Sequence, residues 1–139
     1  MLREDLQIMH ENEISKIILD LSIKIHQTLG PGLFESVYER ILVYEVEKAG
    51  LSTSVQTDIP VKYDGKIFDR GFRADIIVND KVLIELKSVE RLADIPQKQV
   101  LTYLKLTGIK LGLLINFNEK LLKNGFVRIV KRLEEIPKK

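Results

Sequence analysis

Asp75, Glu85 and Lys87 are the residues of this chain whose types and spacing could do chemistry. They lie on two short apolar runs, Phe72 to Val78 and Val82 to Val89, joined by Asn79-Asp80-Lys81. Carboxylates on adjacent strands can hold a hard divalent cation with a nearby backbone carbonyl and waters, and an amine beside them would lie next to the cation's water and any bound phosphate. Whether the three share a face depends on the hairpin register, because a slip of one residue moves every side chain to the other side. A two-residue loop at Asn79-Asp80 would pair Asp75 with Ile84 and mix charged with apolar residues on both faces. A three-residue loop pairs Asp75 with Glu85. It gathers Phe72, Ala74, Ile76, Val78, Val82, Ile84 and Leu86 on one face and leaves Arg73, Asp75, Ile77, Leu83, Glu85 and Lys87 on the other. The hydrophobic pattern selects this second register. It sets two carboxylates opposite each other with Cβ atoms about 5 Å apart, a destabilising arrangement that a divalent cation would offset. A salt-bridge cluster on a surface hairpin is the simpler explanation of three such charges. The flank of Ile77 and Leu83 points instead to a partly covered face.

The elements that must position this hairpin are legible on both sides of it. From Glu11 to Leu29, Ile14, Ile17, Ile18, Leu21, Ile25 and Leu29 recur at spacings of three and four, the mark of an amphipathic helix that Gly30-Pro31-Gly32 ends. A second helix reads from Leu33 to Ala49, with Val37, Ile41 and Tyr44 as its inward stripe and Gly50 at its stop. Val55, Thr57, Ile59 and Val61 then alternate as a strand up to the turn Asp64-Gly65. After the hairpin, Asp94 is placed to cap a helix of about three turns that carries Val100, Leu101 and Leu104 and stops at Gly108. Lys110 to Phe117 reads as a buried strand and Phe126 to Val130 as a last one. The order is ααβββαββ, an α/β fold, without internal repeats or low-complexity linkers.

A chain of 139 residues with 45% hydrophobic and 30% charged residues can bury one core without a staple, so one domain over residues 1–139 is expected. It has no cysteine, which removes a disulfide framework, a thiolate zinc site and a cysteine nucleophile, and suits a reducing cytoplasm. Two histidines alone make no zinc-ligand set; His26 is read as a helix C-terminal cap. Acidic Met1-Leu2-Arg3-Glu4-Asp5 is unlike a signal peptide, and no apolar run approaches the ~20 residues of a membrane span, so no membrane association is expected. A net charge of +2 permits a nucleic-acid partner without demanding one, and the basic residues Lys131-Arg132 and Pro137-Lys138-Lys139 read as a solvated terminus.

Phe72-Arg73-Ala74-Asp75 followed by Glu85-Leu86-Lys87 resembles the PD-(D/E)XK nucleases, with an acidic residue on one strand and acidic-X-Lys on the next. Gly32-Leu33-Phe34-Glu35-Ser36-Val37-Tyr38 adds a G-x-x-E-x-x-Y match. Gln99-Val100-Leu101-Thr102-Tyr103-Leu104-Lys105 and Gly112-Leu113-Leu114-Ile115-Asn116-Phe117 extend the likeness to the small GxxExxY proteins of that superfamily over nearly the whole chain. Ala74 stands where the superfamily name has proline, a position that varies.

The resemblance implies a restriction-endonuclease-like core, a central mixed β-sheet flanked by helices. It also implies Mg²⁺-dependent hydrolysis of phosphodiester bonds, with Mn²⁺ as a substitute and DNA or RNA as substrate. By similarity, Asp75 and Glu85 hold the metal with the Leu86 carbonyl. Lys87 positions or activates the attacking water and stabilises the transition state. Glu35 is the helix-borne carboxylate that holds a metal-bound water or a second cation, with Glu39 as the alternative, and Gln99 is presented to Lys87 or the substrate phosphate. Tyr38 reads as a packing residue at the site rim and Tyr103 as core packing or a base-stacking ring. Homodimerisation would let two sites address two strands. The competing reading is a non-catalytic nucleic-acid-binding or protein-interaction module on the same fold, against which the complete Asp75, Glu85, Lys87 set argues.

Overall fold

The computed structural model describes residues 9–91 and 94–133; the acidic Met1–Asp5 segment and Pro137-Lys138-Lys139 lie outside the described residues. Helix α1 covers Glu11–Leu29, as the periodicity predicts, and His10 caps it by accepting the Asn12 N–H at Nδ1. Ile14, Ile18 and Ile25 are buried, but Leu29 is exposed. His26 lies on the buried face instead, and its Nε2 lies 2.7 Å from the Glu119 carbonyl. It is therefore a tertiary link and not the helix cap expected from its position. Gly30 closes the helix at φ +71°, a left-handed conformation that favours glycine.

Helix α2 covers Glu35–Lys48, starting two residues later than expected. Its buried stripe is Tyr38, Leu42 and Val46, one position on from Val37 and Ile41 and two from Tyr44. Tyr38 fixes this rotation. Its hydroxyl donates to the Gly30 carbonyl at 2.6 Å and accepts the Leu33 N–H at 3.2 Å, while its ring stacks on Phe117. Tyr44 is left exposed beside Lys48.

Five strands follow: β1 Thr53–Tyr63, β2 Lys66–Val78, β3 Val82–Lys87, β4 Leu111–Asn116 and β5 Phe126–Val130. Helix α3, Asp94–Thr107, lies between β3 and β4, and a 3-10 turn at Leu122–Gly125 precedes β5. The sheet order is β1-β2-β3-β4-β5, antiparallel except for the parallel β3–β4 pair, for which α3 is the crossover. Helices α1 and α2 cover one face through Ile76, Val78, Val82, Ile84 and Leu86, and α3 covers the other through Ile77, Leu83, Val100 and Leu104. Covered on both faces, β4 is a continuous buried run, as parallel strands are. Gly112 in β4 lets α3 pack closely on the sheet: a Cβ there would meet Val100 Cγ1 at 2.4 Å.

The hairpin has the register that the pattern selects: Val78 pairs Val82, Ile77 pairs Leu83 and Ile76 pairs Ile84 around a three-residue loop. One part of the expected facing is wrong. Phe72 and Ala74 pack with Ile77 and Leu83 under α3, and not with Ile76 and Val78. Strand β2 changes face at Asp75. Opposite it on β1, between the pairs Val55–Ile76 and Thr57–Ala74, Gln56 has φ +49°, far from strand geometry. The irregular rung breaks the alternation that a regular strand would keep.

Candidate active site

Beyond the Ile76–Ile84 rung, the two carboxylates take over the hydrogen bonding between β2 and β3. The Asp75 N–H donates to Glu85 Oε1 at 3.1 Å, and the Leu86 N–H donates to Asp75 Oδ2 at 2.8 Å. Each strand's carboxylate thus receives a backbone N–H of the other strand. The carboxylates that sequence alone sets against each other are stitched across the end of the hairpin, which offsets part of their repulsion.

Their electrostatics remain unbalanced. Burial, then the Asp75 charge, pushes the Glu85 carboxyl from its ordinary 4.5 up to about 7. Glu35 adds to the rise, while the Asp75 N–H and Lys87 oppose it. Lys87, two residues along the same strand, shares the Glu85 face, and Leu83 on that face packs under α3. Tyr103 on α3 stacks on Phe72 with ring centroids 3.5 Å apart, so it is a packing residue. Its hydroxyl pKa is raised by burial and then by Glu85 and Asp75, which places the ring in their field. Gln99, four residues earlier in α3, is exposed on the same helical stripe as Tyr103.

Helix α2 closes the site from the other side. Glu35 Oε1 accepts the Ser88 N–H, and Ser88 Oγ donates to the Leu33 carbonyl, so the Gly32–Glu35 segment is clamped to the residue after Lys87. Asn116, fully buried at the end of β4, accepts the Val89 N–H and donates to the Val89 carbonyl, while the Phe117 N–H donates to the Lys87 carbonyl. Backbone hydrogen bonds on both sides of Lys87 therefore fix where its side chain emerges.

Gln56 and Asn116 carry structural roles that sequence reasoning did not assign. Gln56 Nε2 donates to Asp75 Oδ1 at 3.1 Å and to Glu39 Oε1 at 2.6 Å, joining the helix-borne Glu39 to the strand carboxylate. Its place in an alternating run gave no signal, because only its left-handed backbone sets it apart. Asn116 had one: a polar residue inside Leu111–Phe117, an otherwise apolar run.

The donor chemistry fits a hard divalent ion. Asp75 and Glu85 offer oxygen ligands, and the unbalanced negative field around Glu85 is one that a cation would relieve. Among the described residues no three acidic or histidine side chains converge to hold a metal, and Glu35 is engaged by Ser88. Two carboxylates suffice for Mg²⁺, which is commonly held by one or two together with substrate phosphates and waters.

A family model described as the PD-(D/E)XK nuclease superfamily matches residues 12–129. The chain belongs to the PD-(D/E)XK nuclease superfamily. Its five-stranded mixed sheet between α1–α2 and α3 is the restriction-endonuclease-like α/β core expected of that superfamily. Members of that superfamily are generally hydrolytic nucleases that act on nucleic acid and typically use divalent metals, and membership makes a nuclease-type function the coarse reading for this chain. Neither a curated protein nor a solved structure matches the chain. Among the described residues, no helix of this PD-(D/E)XK chain is long and apolar enough to cross a membrane.

Proposed function

We propose that this chain is a Mg²⁺-dependent phosphodiesterase, with Mn²⁺ as a substitute, that hydrolyses DNA or RNA with Asp75, Glu85, Lys87, Glu35 and Gln99. The observation that carries the reading is the reciprocal exchange between Asp75 and Glu85. It holds two carboxylates side by side, next to Lys87, in a field that raises Glu85 to about 7. Asp75, Glu85 and the Leu86 carbonyl would hold the metal, and Glu35 would hold a water or second cation. When bound, the cation supplies charge neutralisation at the phosphoryl oxygens. Lys87 orients the attacking water and stabilises the negative charge that develops on phosphorus-bound oxygens in an in-line displacement. Gln99, exposed on the α3 stripe that carries Tyr103, would donate its amide to the substrate phosphate.

The GxxExxY motif supports placing the chain in that subgroup of small nucleases. We read residues 1–139 as one domain working in the cytoplasm, with a homodimer as the assembly that would address both strands of a duplex.

The deciding experiment is cleavage of labelled duplex, single-stranded and branched DNA and of RNA in Mg²⁺, Mn²⁺ or EDTA by wild type, Asp75→Asn and Lys87→Ala. Cation-dependent cleavage that both variants lose while staying folded is the expected result. A folded wild type that binds no metal and cuts nothing would replace this reading with that of a non-catalytic binding module.

A further inference from the structure

The far half of the β1–β2 ribbon stands apart from the rest of the sheet. Strand β3 pairs β2 at Ile76–Val78, whereas β2 and β1 remain paired out to Lys66 and Tyr63. A bulge sets residues 69–71 of β2 opposite residue 60 of β1, where the ladder shifts between the Ile59–Phe72 and Val61–Phe68 pairs. Gly71 lets this bulge close on Val61, since a Cβ there would meet Val61 Cγ2 at 2.1 Å. Beyond it, Val61 pairs Phe68 and Tyr63 pairs Lys66, so Tyr63, Lys66 and Phe68 share one face of the ribbon. Ile59, on that same face of β1, packs beneath α3 with Phe72 and Tyr103. The tip residues therefore continue the α3 side of the sheet, the side that carries Glu85 and Lys87.

Two aromatic rings stand in water there: Tyr63 is 72% exposed and Phe68 52%. Lys66 stands on the same face, and the tip sequence Lys62-Tyr63-Asp64-Gly65-Lys66-Ile67-Phe68 carries a net positive charge. Exposed rings beside a lysine form a surface on which bases stack while the ammonium meets phosphate. Three side chains on a two-stranded tip bury far less than the roughly 1,200–2,000 Å² of a stable protein interface, which disfavours a second copy of the chain as the occupant.

We propose that the β1–β2 tip is a substrate arm that binds single-stranded nucleic acid through Tyr63, Phe68 and Lys66, away from the cleavage site; this rests on the nuclease reading above. Six strand residues lie between Phe68 and Asp75, a span of about 20 Å, so a single strand that reaches from the scissile phosphate to the rings must be several nucleotides long. The arm therefore sets a minimum substrate length and engages the strand to one side of the scissile phosphate.

The test measures binding of labelled (dT)2 and (dT)20 by fluorescence anisotropy in Mg²⁺. The full chain carries Lys87→Ala to stop turnover, with and without Tyr63→Ala/Phe68→Ala. Expected is (dT)20 bound at least tenfold tighter than (dT)2. The double substitution weakens (dT)20 about tenfold or more and leaves (dT)2 unchanged. Lys66→Ala causes a smaller loss and lowers the salt slope by about 0.7. Because the rings are exposed, the variants should keep the wild-type circular dichroism. Unchanged (dT)20 affinity in the double variant overturns the arm and leaves the nuclease reading standing. A dimer in sedimentation velocity that the double variant converts to monomer, with (dT)20 affinity unchanged, also overturns it, since the tip is then a subunit contact. No binding of either oligonucleotide, together with no cleavage by the protein with Lys87 intact, overturns both readings.

Discussion

Replacing Glu85 by glutamine should stabilise the metal-free protein at pH 8 and do almost nothing at pH 4. The carboxyl has an ordinary value of 4.5 and stands at about 7 in the fold, because it is largely buried and faces Asp75. The folded state therefore holds a proton that the unfolded chain releases. This contribution to stability is complete below pH 4.5 and is lost as the pH rises through 7. At 1.36 kcal/mol per pH unit, the charged side chain costs the fold about 3 kcal/mol above pH 7, a large part of the 5–15 kcal/mol that a domain has in total. Glutamine keeps an oxygen to accept the Asp75 N–H and carries no charge. The charge-favouring hydrogen bond from the Asp75 N–H already opposes the rise to about 7, so the full cost of about 3 kcal/mol is regained at pH 8. Urea titrations in EDTA at pH 4 and pH 8 measure this directly, as a midpoint about 1–2 M higher for Glu85→Gln at pH 8. Saturating Mg²⁺ should then raise the wild-type midpoint at pH 8 more than that of the variant. A difference between the two proteins that does not change with pH would refute the reasoning, because no other mechanism invoked for Glu85 titrates.

Gln56→Gly should hold or raise stability by about 1 kcal/mol, since glycine accepts the +49° φ freely, while turnover falls because Asp75 Oδ1 loses its amide partner. Loss of stability with full turnover would count against a positioning role. Tyr38→Phe removes the hydroxyl shared by Gly30 and Leu33 and should cost about 1–3 kcal/mol by urea titration; an unchanged midpoint would show that water replaces it. Gly112→Ala drives a methyl into Val100 and should cost about 1–3 kcal/mol, read as a lowered melting temperature, and Val100→Ala should restore part of it.

Periodicity predicted α1 and β5 to the residue, and hydrophobic alternation selected the hairpin register that brings Asp75 and Glu85 together. Alternation failed where the backbone stops being regular. It could not foresee the left-handed Gln56, so it left Phe72 and Ala74 on the wrong face. The expected α2 stripe is one to two positions away from the observed one, because apolar residues of this helix fill two neighbouring stripes. The stacking and hydrogen bonds of Tyr38, made with residues far along the chain and in the preceding loop, decide between them. In the site, the residue types were legible and their partners were not. Nothing local in Glu35 or Glu39 shows that one meets Ser88 and the other Gln56.

The reciprocal exchange between Asp75 and Glu85 also bears on how such a site can decay over generations. Each carboxylate is the acceptor for a backbone N–H across the hairpin, so losing either leaves a peptide group without its partner, at a cost of about 1–3 kcal/mol. The first replacement offsets that cost by relieving the repulsion between the two carboxylates, whereas the second gains no such relief and still leaves its own N–H without a partner. Replacements at the two positions should therefore be non-additive, and a lineage relieved of catalysis would tend to lose one carboxylate and keep the other.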